Sequence, residues 1–277
     1  MAAALAVLGT EIVAVDAMQV YRGMDIGTAK PSAADRAAVR HHCLDLVDAS
    51  VDFTVADYRR AYDEAIGTIA GRPLLVAGTG LYLTAVIDRL DVPGVWPEIR
   101  AQLDGSDVDS LWRRLTSLDP AAAARIDPGN RRRIMRALEV CLGSGRPFSS
   151  FGPGVGSFPP TDATLLGVRW ARPRLAARIK RRVDEMMAAG LLEEVARVAG
   201  RGMSRTACQA LGYKELLDHV AGRTSLDEAV AAIITRTRRF AVRQERWFRR
   251  DPRVRWYDVD DDPVAELAPI VVDALRT

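Results

Sequence analysis

Two short apolar runs constrain this chain more than any other feature: EIVAVD at residues 11–16 and PLLVA at 73–77. The first ends in an acid, Asp16. The second enters a Gly78-Thr79-Gly80 turn and then a helix-like stretch, LYLTAVIDRL. A buried strand that stops at a glycine turn and gives way to a helix is the unit of a parallel α/β sheet, whose sites lie at the strand C-termini. Leu165–Val168 and Val254–Val259 read as two further strands. Helices are expected over 54–70, 175–200 and 226–250.

The stretch from 92 to 160 differs. It opens with VPGVWPEIR, closes with the Gly/Pro/Ser-rich GRPFSSFGPGVGSFPP, and has helical patterns near 108–117, 119–126 and 130–143 between them. The expected organisation is an α/β core from 1–91 and 161–277, with a helical insertion at 92–160.

Charge is unevenly distributed. Residues 1–171 carry a net −2, residues 172–255 a net +10, and the tail 256–277 a net −5. The positive block suggests a polyanion partner. Only three of the 39 basic residues are Lys, so an arginine-rich codon usage that places Arg at ordinary surface positions is the competing account. Three scattered cysteines without CxxC spacing argue against a disulfide framework or a zinc site. The apolar start, MAAALAVLG, is too short to span a bilayer, has no basic segment before it, and is followed by Glu11. A cytoplasmic protein is expected.

Asp16, in DAMQVYRGMDIGTAKP, would face the crevice above the sheet as a general base or a metal ligand, or else serve as a turn acid. The Gly78–Gly80 turn could hold an anion with its amides, or be glycine for steric reasons alone. At about 100° per residue, Arg236, Arg239, Arg243, Arg246 and Arg250 share one stripe of the 230–250 helix. Ile233, Phe240, Ala241, Trp247 and Phe248 form the adjacent face, expected to pack on the core. With almost no local acid to pair them, these arginines point to phosphate. Arg178, Arg181 and Arg182 form a second cluster, and Arg131, Arg132, Arg133 and Arg136 a third.

Taken in order, DAMQVYRGMDIGTAKP, AGTGLY, NRRRIMRALEV, ALGYKEL and RRFAVRQERWFR resemble the tRNA dimethylallyltransferase family from Glu11 to the tail. The resemblance implies a P-loop NTPase-like parallel sheet with a helical insertion domain. It also implies a monomer that transfers a dimethylallyl group from dimethylallyl diphosphate, with Mg2+, to an adenine amine beside the anticodon of tRNA. Under it, Asp16 is the catalytic base and Arg182 clamps the diphosphate, with Arg178 one turn away and Gly78, Thr79 and Gly80 beside them. The segments implied to touch the tRNA anticodon stem-loop are Asp16, Ala17, Met18 and Gln19; Arg132, Arg133, Ile134, Met135 and Arg136; Gln209, Gly212, Tyr213 and Lys214; and Arg243, Gln244, Arg246, Trp247 and Arg249.

The sequence departs from that family in one respect. Family members begin with a strand and a GxxxxGK[ST] loop, and no such run occurs here. MAAALAVLGTEIV aligns with the second half of the helix after that loop. The first strand and P-loop are therefore expected to be missing and transfer by these 277 residues to be weak, whether because the start is assigned late or because the copy is degenerate. A tRNA-binding remnant and a P-loop-type kinase of a small metabolite are the rival readings.

Overall fold

The computed structural model describes residues 9–152 and 154–276. The helix end implied for residues 1–8 lies outside the described residues. The chain divides into two compact units, residues 1–83 with 160–277, and residues 84–159.

In the first unit, β1 (Ile12–Val15) is the centre of a three-stranded parallel sheet. The short strands β2 (Tyr21–Arg22), β3 (His41–His42) and β4 (Val47–Asp48) follow, and then β5 (Leu74–Ala77). The sheet order is β3-β1-β5, and β2 pairs with β4 separately. Val13 and Val15 are fully buried, as a central parallel strand requires. The register pairs Val15 with Ala77, so β1 and β5 end at the same level. That alignment sets Asp16 beside Gly78.

β6 (Leu165–Trp170) and β7 (Val254–Val259) pair in parallel over their whole length but form a sheet of their own. The strands expected from the apolar runs are thus all present and parallel, but they are divided among separate sheets rather than joined in one.

The helices of this unit begin where side chains can cap them. Thr54 and Asp57 form a reciprocal capping box at the start of Val55–Ile66, and Ser225 and Glu228 do the same for Leu226–Phe248. The single helix expected over 175–200 is two, Arg172–Ala188 and Leu191–Gly200. The break falls at Gly190, whose φ of +96° is a backbone state other residues adopt only with strain. Similarly, Val55–Ile66 stops short of the expected residue 70, at Gly67.

The second unit is helical. Pro97–Asp104, Val108–Leu118, Pro120–Ala123 and Arg131–Ser144 pack around Leu103, Leu111, Leu115, Ile134 and Leu138. Truncating one of these leucines to Ala would cost about 2–5 kcal/mol, because the cavity only partly collapses. Glu139 is fully buried here; it accepts a hydrogen bond from the Trp96 amide at 2.8 Å and pairs with Arg136 at 3.0 Å.

Candidate active site

The site is built where β1 and β5 end. Asp16 follows β1 directly, and its Oδ1 accepts hydrogen bonds from the amides of Met18 at 2.7 Å and Gln19 at 3.2 Å. Among the described residues Oδ2 accepts none. One oxygen therefore anchors the carboxylate and the other can meet a ligand. Thr79, from the turn after β5, accepts the Ala17 amide on its hydroxyl at 3.0 Å, which ties the two strand ends together.

Glycine in that turn is a steric requirement. A Cβ on Gly78 would lie 2.5 Å from Asp16 Oδ2, and one on Gly80 would lie 2.2 Å from the Trp247 ring. Both contacts are closer than any side chain allows. The long helix Leu226–Phe248 closes over the turn: Gln244 donates from Nε2 to the Gly78 carbonyl at 2.7 Å. Tyr58 and Tyr82 stack with ring centroids 4.7 Å apart. Burial raises both phenols far above their usual range, with smaller contributions from other groups including Asp16, so both are neutral.

A cavity of about 860 Å³ in the same unit is lined by Arg182 together with Arg22, Lys30, Arg36, Asp45 and Glu185. Most of its charges are matched. Lys30 is almost wholly enclosed and donates to Asp25 at 2.8 Å and Asp45 at 2.6 Å, and Arg36 donates to Asp45 at 2.7 Å. Arg182 is exposed and has no partner among the described residues. Arg178, one turn earlier, stacks on the Trp170 ring at 4.1 Å instead of pairing with an acid.

The arginine stripe is more paired than its local sequence suggests. Arg236 bonds Glu215, a carboxylate 3 % exposed that comes from another helix, Tyr213–Val220. Arg249 pairs with Glu245 at 3.2 Å, and Glu245 also takes Arg172 at 2.9 Å. Arg239 and Arg246 are exposed without partners among the described residues. Phe240, expected on the packed face, is 38 % exposed with Arg243 over its ring at 5.9 Å. Only Ala229 and Ile233, nearer the helix N-terminus, are buried.

Several residues implied to touch tRNA are turned inward. Tyr213 is fully buried and its hydroxyl donates to Glu194. In the second unit Ile134 and Met135 belong to the core, and Arg136 is bound to Glu139 and to the Pro93 carbonyl, so among these only Arg132 and Arg133 are exposed. Gln209 is exposed and accepts from Lys214 Nζ at 3.3 Å. The buried glutamates 139, 194 and 215 were not singled out from the sequence. Glu139 alone stands out in sequence, as an acid in an otherwise apolar and basic helix; Glu194 follows Glu193, and Glu215 shares its helix with Asp218.

A parallel α/β protein with a half-open carboxylate at a strand end, an unpaired arginine on a cavity of the same unit and an arginine helix bonded to the strand-end turn fits transfer chemistry on anionic substrates. Residues 19–251 match the model of the IPP transferase family. The chain is 48% identical over 258 residues to a tRNA dimethylallyltransferase of Streptomyces coelicolor, covering 90% of this chain and 82% of that protein. It is 46% identical over 276 residues to one from Kineococcus radiotolerans, covering 96% and 86%. The crystal structure of a full-length tRNA isopentenylpyrophosphate transferase from Bacillus halodurans superposes with a TM-score of 0.70 at 35% identity, over 99% of this chain and 92% of that one. The chain therefore belongs to the IPP transferase family, and it is a prenyltransferase.

Proposed function

We propose that this chain transfers the dimethylallyl group of dimethylallyl diphosphate to the N6 amine of the adenine 3′ of the anticodon in tRNA. The observation that carries this reading is Asp16: its Oδ1 is spent on two amides, its Oδ2 is open, and it sits at the end of a parallel strand against Gly78, where a Cβ would lie 2.5 Å from Oδ2. The names of the similar proteins support the substrate pair.

An adenine amine is a weak nucleophile because its lone pair is delocalised into the ring. As it attacks the allylic carbon, a C–N bond forms and the C–O bond to diphosphate breaks, with the bonding electron pair leaving on the diphosphate. The amine proton passes to Asp16 Oδ2. Positive charge on the allylic carbon is delocalised, so the barrier rests largely on stabilising the departing diphosphate. Arg182, supported by Arg178, supplies charge for that, and the Gly78–Gly80 turn supplies amides.

Among the described residues no group of three or more His, Cys, Asp or Glu could hold a metal. Mg2+ would arrive with the diphosphate substrate, and the Thr79 hydroxyl is the oxygen donor the turn would offer it. It would add charge stabilisation of the leaving group.

In this reading the tRNA lies along Gln19, Lys214, Arg239, Arg243 and Arg246, and the insertion contributes Arg132 and Arg133. The adenine leaves its stack to reach Asp16. The sheet is of P-loop type; these 277 residues contain no GxxxxGK[ST] loop, so transfer by them alone is weaker than by a chain that also carries one. The protein acts as a monomer in the cytoplasm, and no described helix is long and apolar enough to cross a membrane.

The test is to incubate the 277-residue chain, and one extended upstream in frame, with Mg2+, dimethylallyl diphosphate and unmodified tRNA, and to weigh the digested nucleosides. Dimethylallyl-adenosine, more from the extended chain, is expected. Stem-loop binding with no product from either chain would sink the transfer reading in favour of an RNA binder, and phosphoryl transfer from ATP to a small metabolite would sink it in favour of a kinase.

A further inference from the structure

Glu194 is 1 % exposed and sits near the start of the helix Leu191–Gly200, yet it serves no packing purpose that an apolar residue would not serve better. Its two oxygens are fully used. Oε2 accepts the amides of Asp25 and Ile26, each at 2.9 Å, and Oε1 accepts the Gly27 amide at 3.0 Å and the Tyr213 hydroxyl. Three consecutive backbone amides aimed at one carboxylate form a concave cradle, and the hydrogen bonds are charge-assisted.

The two segments that meet at this carboxylate are 168 and 19 residues from it in the chain, measured at Ile26 and Tyr213. Each continues into a segment of the proposed tRNA face. Residues 25–27 lead into Thr28 and Ala29, whose carbonyls accept the Gln19 side-chain amide at 3.0 and 3.3 Å. Holding Gln19 by both amide hydrogens fixes its direction beside Asp16. Tyr213 lies next to Lys214, which holds Gln209. The contact is also close sterically: a Cβ on Gly27 would lie 2.4 Å from the Tyr213 ring.

We propose that Glu194 is a positioning residue for tRNA: its buried carboxylate holds the 25–29 loop against Tyr213, and so sets Gln19 and the 209–214 segment in the arrangement that the stem-loop binds. Glu194 touches no substrate itself. This inference rests on the tRNA reading above. It predicts a split between the two substrates, because Gln19 is held by the loop whereas Arg182 and the Gly78–Gly80 turn belong to other elements, and the loop meets Arg182 only where Asp25, Ile26 and Ala29 line one cavity with it.

The experiment compares the full chain with Glu194→Gln and Tyr213→Phe at one fixed salt concentration. It measures the Kd for an anticodon stem-loop and the Kd for dimethylallyl diphosphate, with hydrogen exchange at residues 25–27. Glu194→Gln presents an NH2 group to amides that need an acceptor, so the stem-loop Kd should rise about tenfold, with faster exchange at 25–27 and a clearly smaller change in the diphosphate Kd. Tyr213→Phe removes one donor, keeps the ring, and should shift the same Kd about two- to threefold in the same direction. Unchanged stem-loop binding by a folded Glu194→Gln overturns the proposal. So does an equal loss for both substrates, which is what a purely structural role produces. If Glu194→Gln does not fold, Tyr213→Phe decides by the same criteria. Failure of the unsubstituted chain to bind the stem-loop would overturn the tRNA reading itself, and this inference with it.

Discussion

Gln244 donates a 2.7 Å hydrogen bond from Nε2 to the carbonyl of Gly78, a residue 166 positions earlier in the chain. That bond pins the arginine helix to the turn after β5, at the glycine whose missing side chain leaves room for Asp16 Oδ2. One small residue thus serves two neighbours, so changes at the strand end should disturb the carboxylate and the helix together.

Asp16→Asn separates chemistry from structure. The Asn carbonyl can still accept the Met18 and Gln19 amides, so the thermal midpoint should stay close to that of the unsubstituted chain. An amide cannot take the amine proton, and the rate of dimethylallyl-adenosine formation should fall about a hundredfold or more. Retained turnover in a folded variant would remove Asp16 from the role of base.

Gly80→Ala forces a methyl group against the Trp247 ring, where 2.2 Å is available. Either the ring or the turn must move, at a cost of about 1–3 kcal/mol in urea unfolding. Gly105→Ala, where no atom lies within 4 Å of the added Cβ, is the comparison that should leave the midpoint nearly unchanged.

Arg246 and Arg236 lie on the same stripe but should behave differently. Arg246 is exposed without a partner among the described residues, so Arg246→Ala should weaken stem-loop binding and lower the slope of log affinity against log salt by about 1. Arg236→Ala leaves Glu215 buried without its cation, and should instead lower unfolding stability by about 1–3 kcal/mol. Equal salt slopes for the two variants would contradict this division.

Asp45 links stability to pH. Burial acts to raise its pKa, but the hydrogen bonds and charges of Lys30 and Arg36 outweigh that and hold it below the usual carboxylate value. A carboxyl group depressed in the folded state stabilises it fully above its unfolded pKa, about 3.9. That contribution is lost as pH falls through the lower folded value. The stability difference between the unsubstituted chain and Asp45→Asn, read from urea midpoints, should be constant near neutrality and shrink below about pH 4. A difference that grows on acidification would reverse the sign.

The local signals were legible where the physics is local. β1 and β5 fall on the apolar runs, because a parallel strand inside an α/β unit needs little more than a continuous apolar stretch and a stop. The start of Leu226–Phe248 is written in its Ser225/Glu228 capping box. The break at Gly190 and the fate of Arg236 were not legible. Helical periodicity runs across a left-handed glycine without interruption, and the acid that pairs Arg236 lies 21 residues away on another helix.

By itself, then, the sequence determined the parallel strand-turn-helix units, the clustering of arginine, and Asp16 as the carboxylate at a strand end, while the need for glycine at 78 and 80 emerged only from the packed structure. Tertiary structure decided which polar side chains remain available. Lys30, Arg136, Arg236 and Tyr213 are engaged by Asp45, Glu139, Glu215 and Glu194, whereas Arg182, Arg239 and Arg246 are left exposed without partners among the described residues. The reason is that a charge brought out of water must find its counter-charge wherever the packed chain places one, and no rule of sequence spacing carries that distance.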